Sequence, residues 1–432
     1  MKNLKSITSI YLGAAILGAV FFSSCTKEYQ DPSRAKTDVA LNSQQGLTAV
    51  AIGLQRVYTL SRTGVMFNAV ASNGFVTNEL QLLNAGNIPE LQLSTGGSSV
   101  DGTNTILYNM WTSANKIVYD ADLVITNANN LPDKGYAAGL IAYASIFKAL
   151  AIGSMSQYWE NIPNGTGANV TYITRAAGFT KAISVLDNAL TVTTANPVSA
   201  AFSANVPTDV NIINTIHALK ARYALFSGNY ALALSEANAV DLTKSSFFKF
   251  DATSPNILFT IISSNNVFQP TNTNLGLTGT YVPDAADKRI AFYTTTAGTP
   301  ATIRMAGFAT ATSSPFPIYL PGEITLIKAE SYARQSTPDL TNSLAELNKV
   351  VTKTTDLFGV AAALPALTGP FTQQQLLSLI YKHRCIELYA SGLKLEDMRR
   401  FALPLTDRKR NFFPYPFQER DNNKNTPADP AF

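Results

Sequence analysis

A protein that makes or breaks bonds needs side chains that move protons, hold metals or attack, and this 432-residue sequence sets few of them in a usable pattern. Histidine occurs only at His217 and His383, both within helical patterns and neither in a spacing such as His-Glu-x-x-His that brings two imidazoles onto one metal. Both read as structural histidines. Arg384 and Glu387 stand three apart on one predicted helical face, and Asp397 with Arg400 repeats the arrangement, so intrahelical ion pairs are expected. A catalytic acid pair needs two carboxyls whose surroundings push their pKa values apart, and a glycosidase pair needs a separation set by its mechanism. No such pair stands out. The sequence therefore offers no catalytic residue, no metal ligand and no cofactor site.

One residue does have a definite chemistry. Lys2 and Lys5 precede an apolar run over 7–22, and Phe22-Ser23-Ser24-Cys25 then has the form of a lipobox. The apolar run is shorter than the roughly 20 residues a membrane-spanning helix requires. Cleavage before Cys25 and acylation of its thiol and new amino group would supply several chains, and two or more membrane signals anchor stably where one does not. Residues 1–24 are thus read as a signal segment, and Cys25 as the site through which the chain is expected to meet membrane lipid. With Cys25 lipidated, Cys385 has no partner and the mature chain forms no internal disulfide.

Loss of Lys2 and Lys5 lowers the formal charge from +4 to +2, too little for a nucleic-acid footprint, so nucleic acid is excluded as a partner. Charged residues make up 14% of the chain against roughly 25% in an average globular protein, which leaves a surface rich in Asn, Thr, Ser and Gln. Such a surface suits hydroxyl-rich ligands.

The elements that must position any site are mostly helices. Residues 105–130 place Leu107, Met110, Trp111, Ala114, Ile117, Val118, Ala121 and Val124 at three-and-four spacing, and residues 136–159 continue the pattern after a break at Leu131-Pro132. The two predict an antiparallel hairpin. Further helical periods run over 178–194, 210–227 and 230–241, with Gly228 as a C-cap glycine in a unit that looks like a tetratricopeptide repeat. Residues 322–352 supply another pair. Residues 63–104 and 245–321, rich in Asn, Gly, Ser, Thr and Pro, show no sustained period and are expected to be irregular loops on the helical frame, where function usually sits. Sugar sites stack a ring on an aromatic face and hydrogen-bond its hydroxyls with polar side chains. The loop candidates of those types are Asn73, Asn78, Glu79 and Asn87 with Phe268, Tyr281 and Arg304. Trp111 lies in the apolar stripe and is expected in the core, while Trp159, at a helix end, fits either a core or a stacking role.

Trp111-x-x-x-Asn115 with Asp122 and Asn127, Lys148-Ala149-Leu150-Ala151 through Tyr158-Trp159-Glu160-Asn161-Ile162-Pro163, and the Gly228-x-Tyr230 turn look like three segments of the RagB/SusD family, which the chain resembles over most of its length. The most specific runs from Glu323 to Arg334, then Arg384-x-x-Glu387-Leu388, Gly392 and Asp397-Met398-Arg399-Arg400-Phe401, and Phe413-Pro414-Tyr415-Pro416 is similar to its closing segment. Lys382, His383 and Ser391 depart from the family pattern.

The resemblance implies a mainly α fold of tetratricopeptide-like helix pairs, with long irregular regions carrying the ligand site. It also implies a surface lipoprotein of the outer membrane that captures an oligosaccharide or other glycan without cleaving it and delivers it to a SusC-like TonB-dependent transporter. The polar residues after Cys25 resemble an export signal to the outer face. A peptide ligand, an all-helical glycan hydrolase and a purely structural scaffold are the competing readings. The expected organisation is a signal over 1–24, a lipidated cysteine and tether over 25–42, and one SusD-like domain over 43–432. Its helical scaffold covers 43–62, 105–244 and 322–400, its binding loops 63–104 and 245–321, and its tail 401–432.

Overall fold

The computed structural model describes residues 41–432, so Cys25 and the segment on which the lipid-anchor expectation rests lie outside the described residues. The described part opens with helices α1 (Gln44–Thr59) and α2 (Val65–Val76), strand β1 (Leu80–Leu82) and helix α3 (Ile88–Thr95). Long helices α4 (Thr105–Ala128) and α5 (Lys134–Tyr158) follow, each started by a side-chain cap. Asn104 Oδ1 accepts from the backbone N–H groups of Ile106 and Leu107 at 3.0 and 3.2 Å, and Asp133 Oδ1 accepts from that of Tyr136 at 2.8 Å. The predicted stripe of α4 is buried, Trp111 included. In α5 nearly every residue is inside. Its length and composition would suffice to cross a membrane, but 94% of its apolar window is buried against the protein's own helices, which makes it the central core helix.

Strands β2 (Asn161–Pro163) and β3 (Tyr172–Thr174) pair antiparallel and lead into helices α6 (Arg175–Ala195) and α7 (Ala200–Asn205). Helices α8 (Ile212–Phe226) and α9 (Tyr230–Ala239) form the predicted repeat-like pair, joined at Gly228, whose φ of +79° a side chain would strain. After strand β4 (Phe247–Phe248) and the rest of the strand-rich middle come helix α10 (Lys288–Tyr293), the pair α11 (Pro321–Arg334) and α12 (Leu340–Val351), then α13 (Gln373–Glu387), α14 (Lys394–Arg400) and α15 (Phe417–Asn422). Neighbouring helices pack in succession from α4 to α5, α6, α8, α9, α11 and α12. The result is the mainly helical, repeat-like scaffold expected from the periods. A main core surrounds α5, and a smaller one gathers Leu326, Ala329, Leu347 and Ile380 from α11, α12 and α13.

Three expectations need correction. Residues 63–104 are not an irregular loop: they hold α2 and α3, and all 12 residues of α2 are buried, so no polar face marks its period. The 322–400 scaffold is interrupted at residues 353–372, which carry no helix. Arg384 does not pair with Glu387 in its own helix. Its guanidinium reaches across to Asp397 of α14, with Nε and Nη2 at 2.9 and 3.0 Å from the carboxylate, while Glu387 meets Arg289 of α10 at 3.0 Å and also Lys353. The Asp397–Arg400 pair forms as the spacing predicts, at 2.7 Å.

The tail closes on the α4–α5 hairpin. Trp159 Nε1 donates to the Pro414 carbonyl at 2.9 Å, Trp111 Nε1 donates to Glu419 at 3.1 Å, and Phe413 stacks on Tyr158. Both tryptophans are thus buried structural residues. His217 bonds Glu236 and His383 accepts from Arg289 Nη2 at 2.8 Å, so each has a structural partner.

Candidate functional site

The two loop zones singled out in the sequence meet. Strand β1 pairs antiparallel with β5 (Phe268–Pro270), aligning Gln81 with Gln269, and β5 lies beside the hairpin formed by β6 (Thr294–Ala297) and β7 (Thr302–Met305). Ahead of β5 the chain makes a π-helical turn at Thr260–Ser264 and then passes through Asn266 with φ of +46°. Both features are uncommon and concentrate where a side chain must be aimed.

Here they aim Asn266 at the hairpin. Gln269, buried, is the clamp: its Nε2 donates to the Ile262 carbonyl at 2.8 Å and to Asn266 Oδ1 at 2.9 Å, while its Oε1 accepts from the Met305 N–H at 2.8 Å. Asn266 Oδ1 also accepts from Arg304 Nη1. Among the described residues that is the one hydrogen bond the Arg304 side chain makes, and no carboxylate among them pairs with it. A guanidinium has five N–H donors, so most of this one's capacity faces open space.

Clefts lie on both sides of Arg304. One, about 480 Å³ of space open to solvent, is lined by Gln81, Leu83, Asn266 and Ile303. The other, about 850 Å³ and also open, is lined by Phe259, Ser263, Gln269, Thr295 and Thr310. Phe259 is half-buried and supplies an aromatic surface among hydroxyls and amides. The arrangement can hydrogen-bond hydroxyl or carboxylate oxygens through Arg304 and the amides, and can pack a CH-rich face on Phe259. Among the described residues no group of three or more His, Cys, Asp or Glu is placed to hold a metal.

Of the seven sequence candidates, Arg304 lines both clefts. Asn73, Glu79 and Phe268 are interior, which corrects their reading as loop contacts. Asn73 Nδ2 donates to Glu79 Oε2 at 2.7 Å and its Oδ1 accepts from the Leu395 N–H at 2.8 Å, fastening α2 to α14. Burial pushes the Glu79 carboxyl above its ordinary pKa, against the pull of Lys394. Phe268 packs edge-on to Phe75 with centroids 5.5 Å apart. Asn78, with φ of +62°, turns the chain into β1, and its carbonyl accepts from Thr271 Oγ1 at 2.7 Å. Asn87 bonds the Asn84 carbonyl ahead of α3, and Tyr281 packs edge-on against Tyr381 at 4.8 Å. Asn78, Asn87 and Tyr281 are half-buried and line neither cleft. Phe259, Asn266 and Gln269 escaped the sequence analysis. Their only local sign is the Asn265-Asn266 pair, a residue type that tolerates positive φ.

Fold and site together define a helical-repeat scaffold with loop-built clefts. No family model matches the sequence, and no curated protein matches it either. Solved structures do match in three dimensions. A SusD superfamily protein from Bacteroides fragilis superposes with a TM-score of 0.64 at 15% identity, covering 89% of this chain and 98% of that one. A SusD superfamily protein from Bacteroides vulgatus gives 0.66 at 12% identity over 90% and 99% of the two chains. A SusD-like carbohydrate binding protein, also from Bacteroides vulgatus, gives 0.66 at 13% identity over 83% of each. At that identity the likeness speaks for the fold alone: this chain folds like those three structures.

Proposed function

We propose that the protein is a glycan-binding lipoprotein that captures its ligand in the Arg304 clefts, does not cleave it, and passes it to a TonB-dependent transporter of the outer membrane, with Cys25 as the lipid attachment site. The observation that carries the capture role is the Arg304 guanidinium: it lines open clefts with one hydrogen-bond partner among the described residues, the amide of Asn266, and shares the larger cleft with the ring of Phe259. Support also comes from the shared fold, since one of the similar structures is described as carbohydrate binding. The transporter and the anchor rest on the sequence resemblance and the lipobox.

The test is calorimetry of the purified protein against a panel of plant, host and microbial glycans, with product analysis of each mixture. Binding of one glycan class without shortening of the chain is the expected result, and Arg304→Ala should weaken it by about tenfold to a hundredfold, the worth of one charged hydrogen bond. Release of shorter sugars would refute the non-catalytic role. A second reading has its own observation: an unneutralised guanidinium also suits the terminal carboxylate of a peptide. A peptide digest in the same panel, bound when the glycans are not, would move the assignment there.

A further inference from the structure

The chain holds the pair Asn-Gly twice, at 73–74 and 164–165, and the fold gives the two pairs opposite surroundings. An asparagine followed by glycine is able to modify itself. The backbone nitrogen of the glycine, once its proton has gone to water, attacks the asparagine Cγ, a five-membered imide closes, and ammonia leaves. Water then opens one of the two imide carbonyls and leaves aspartate or isoaspartate. The balance is asparagine plus water going to an acidic residue plus ammonia. The attack needs a backbone free to turn and a following residue whose missing side chain lets the nitrogen approach.

Asn73-Gly74 lacks that freedom. It is buried within α2, and both ends of the Asn73 amide are held, Nδ2 by Glu79 and Oδ1 by the Leu395 N–H. Asn164-Gly165 has it. The pair opens the turn between β2 and β3, Asn164 is exposed, and a Cβ on Gly165 would meet nothing within 4 Å. The Asn164 N–H donates to the Thr171 carbonyl at 2.8 Å and closes the hairpin, but among the described residues nothing accepts from the Gly165 N–H or from Asn164 Nδ2.

A second observation singles out Asn164. Lys181 of α6 brings its Nζ to both carbonyls of that residue: it donates to the main-chain oxygen and stands 3.4 Å from Oδ1. These are the two carbonyls of the imide. The ammonium therefore faces the oxygen that turns negative as Cγ is attacked. Lys181 also has a use for the product. No carboxylate among the described residues bonds it, since Asp122, whose charge reaches it, is paired with Lys148, and burial with Lys148 presses its pKa down.

We infer that Asn164 is a self-modification site, deamidated on the folded protein with the help of Lys181, which then holds the carboxylate that forms. The inference goes beyond the capture role and does not depend on it, since neither residue lines the Arg304 clefts. Whichever carbonyl water opens, the new carboxylate carries an oxygen that Lys181 already contacts, so the turn gains an ion pair with α6. The ammonia is lost for good, and the converted fraction records the age of the folded molecule.

The test holds the purified protein for days in neutral to mildly alkaline buffer and reads both Asn-Gly peptides by mass mapping, in the wild type and in Lys181→Met. Conversion of amide to acid at Asn164, with Asn73 unchanged, is the expected result. Lys181→Met should slow it by about threefold to tenfold, less than the roughly hundredfold that a sheltered oxyanion donor supplies, because this turn is open to water. A Lys181 that only braced the turn would give the opposite sign, since its loss would loosen the backbone and leave the rate equal or higher. An Asn164 peptide that keeps its amide, an Asn73 peptide that converts as fast, or a rate not lowered in Lys181→Met would each overturn the inference. Should Lys181→Met fail to fold, Lys181→Gln, which also removes the charge, takes its place.

Discussion

Replacing Asp397 by alanine should cost about 3–5 kcal/mol of folding stability, the usual penalty for removing one partner of a buried ion pair. The structure shows why the upper part of that range applies. Asp397 is 1% exposed and takes two bonds from Arg384, which is fully buried, and a third from Arg400 at 2.7 Å. Glu330 already serves Arg400 and Arg334, and its approach to Arg384 is only 3.9 Å. Without Asp397, three guanidinium groups share one carboxylate in the α11–α13–α14 corner. Burial alone would raise the Asp397 pKa, but Arg384 and Arg400 overcome it and hold the carboxyl below its ordinary value. A depressed carboxyl adds stability that is complete above its unfolded pKa and disappears as pH falls through the folded one. Urea unfolding at neutral pH is the assay, because guanidinium salt would itself act on the charges. A domain of ordinary stability, about 5–15 kcal/mol, then loses a large part of it. The double variant Arg384→Met/Asp397→Leu, which removes the stranded charge, should recover much of the loss. A cost below about 1 kcal/mol for Asp397→Ala would refute the claim that this cluster holds the corner, since that is the range of exposed pairs.

Other outcomes follow from the same structure. Burial, reinforced by Arg289 and Lys382, holds His383 neutral well below its ordinary pKa, so its contribution to stability is present above the unfolded value near 6.5 and lost as pH drops below it, by up to about 1.4 kcal/mol per pH unit. His383→Gln keeps an acceptor for Arg289 and should flatten that slope between pH 7 and 5 (about the range in which an unperturbed histidine titrates) when unfolding is followed at each pH. An unchanged slope would remove His383 as its source. Gly276 has φ of +72°, and a Cβ there would collide with the Asn78 carbonyl, so Gly276→Ala should cost about 1–3 kcal/mol or more in urea unfolding. Because Asn78 leads into the β1–β5 pairing, the same variant should weaken ligand binding in calorimetry, and unaltered affinity would uncouple that turn from the clefts.

What the sequence determined by itself was whatever depends on neighbours along the chain. The α4–α5 hairpin was legible because α4 buries one face, so its apolar residues recur every three or four positions, and because Asn104, Asp133 and the Leu131-Pro132 break act within a few residues of themselves. Gly228 marked its turn for the same reason, and Trp111 announced its burial from its place in the stripe. Helix α2 stayed hidden because it is buried on every side, and a helix with no wet face has no polar period to read. Only the tertiary structure decided which polar groups are interior. Asn73, Glu79 and Arg304 are all polar residues in unpatterned stretches, yet Asn73 and Glu79 find each other and the N–H of Leu395, while Arg304 finds, among the described residues, Asn266 alone. The same holds for Arg384, whose partner lies 13 residues away in another helix and not on its own turn, and for the β1–β5 ladder that joins the two loop zones. Such pairings are settled by which surfaces the packed helices bring together, and helical periodicity carries no record of that.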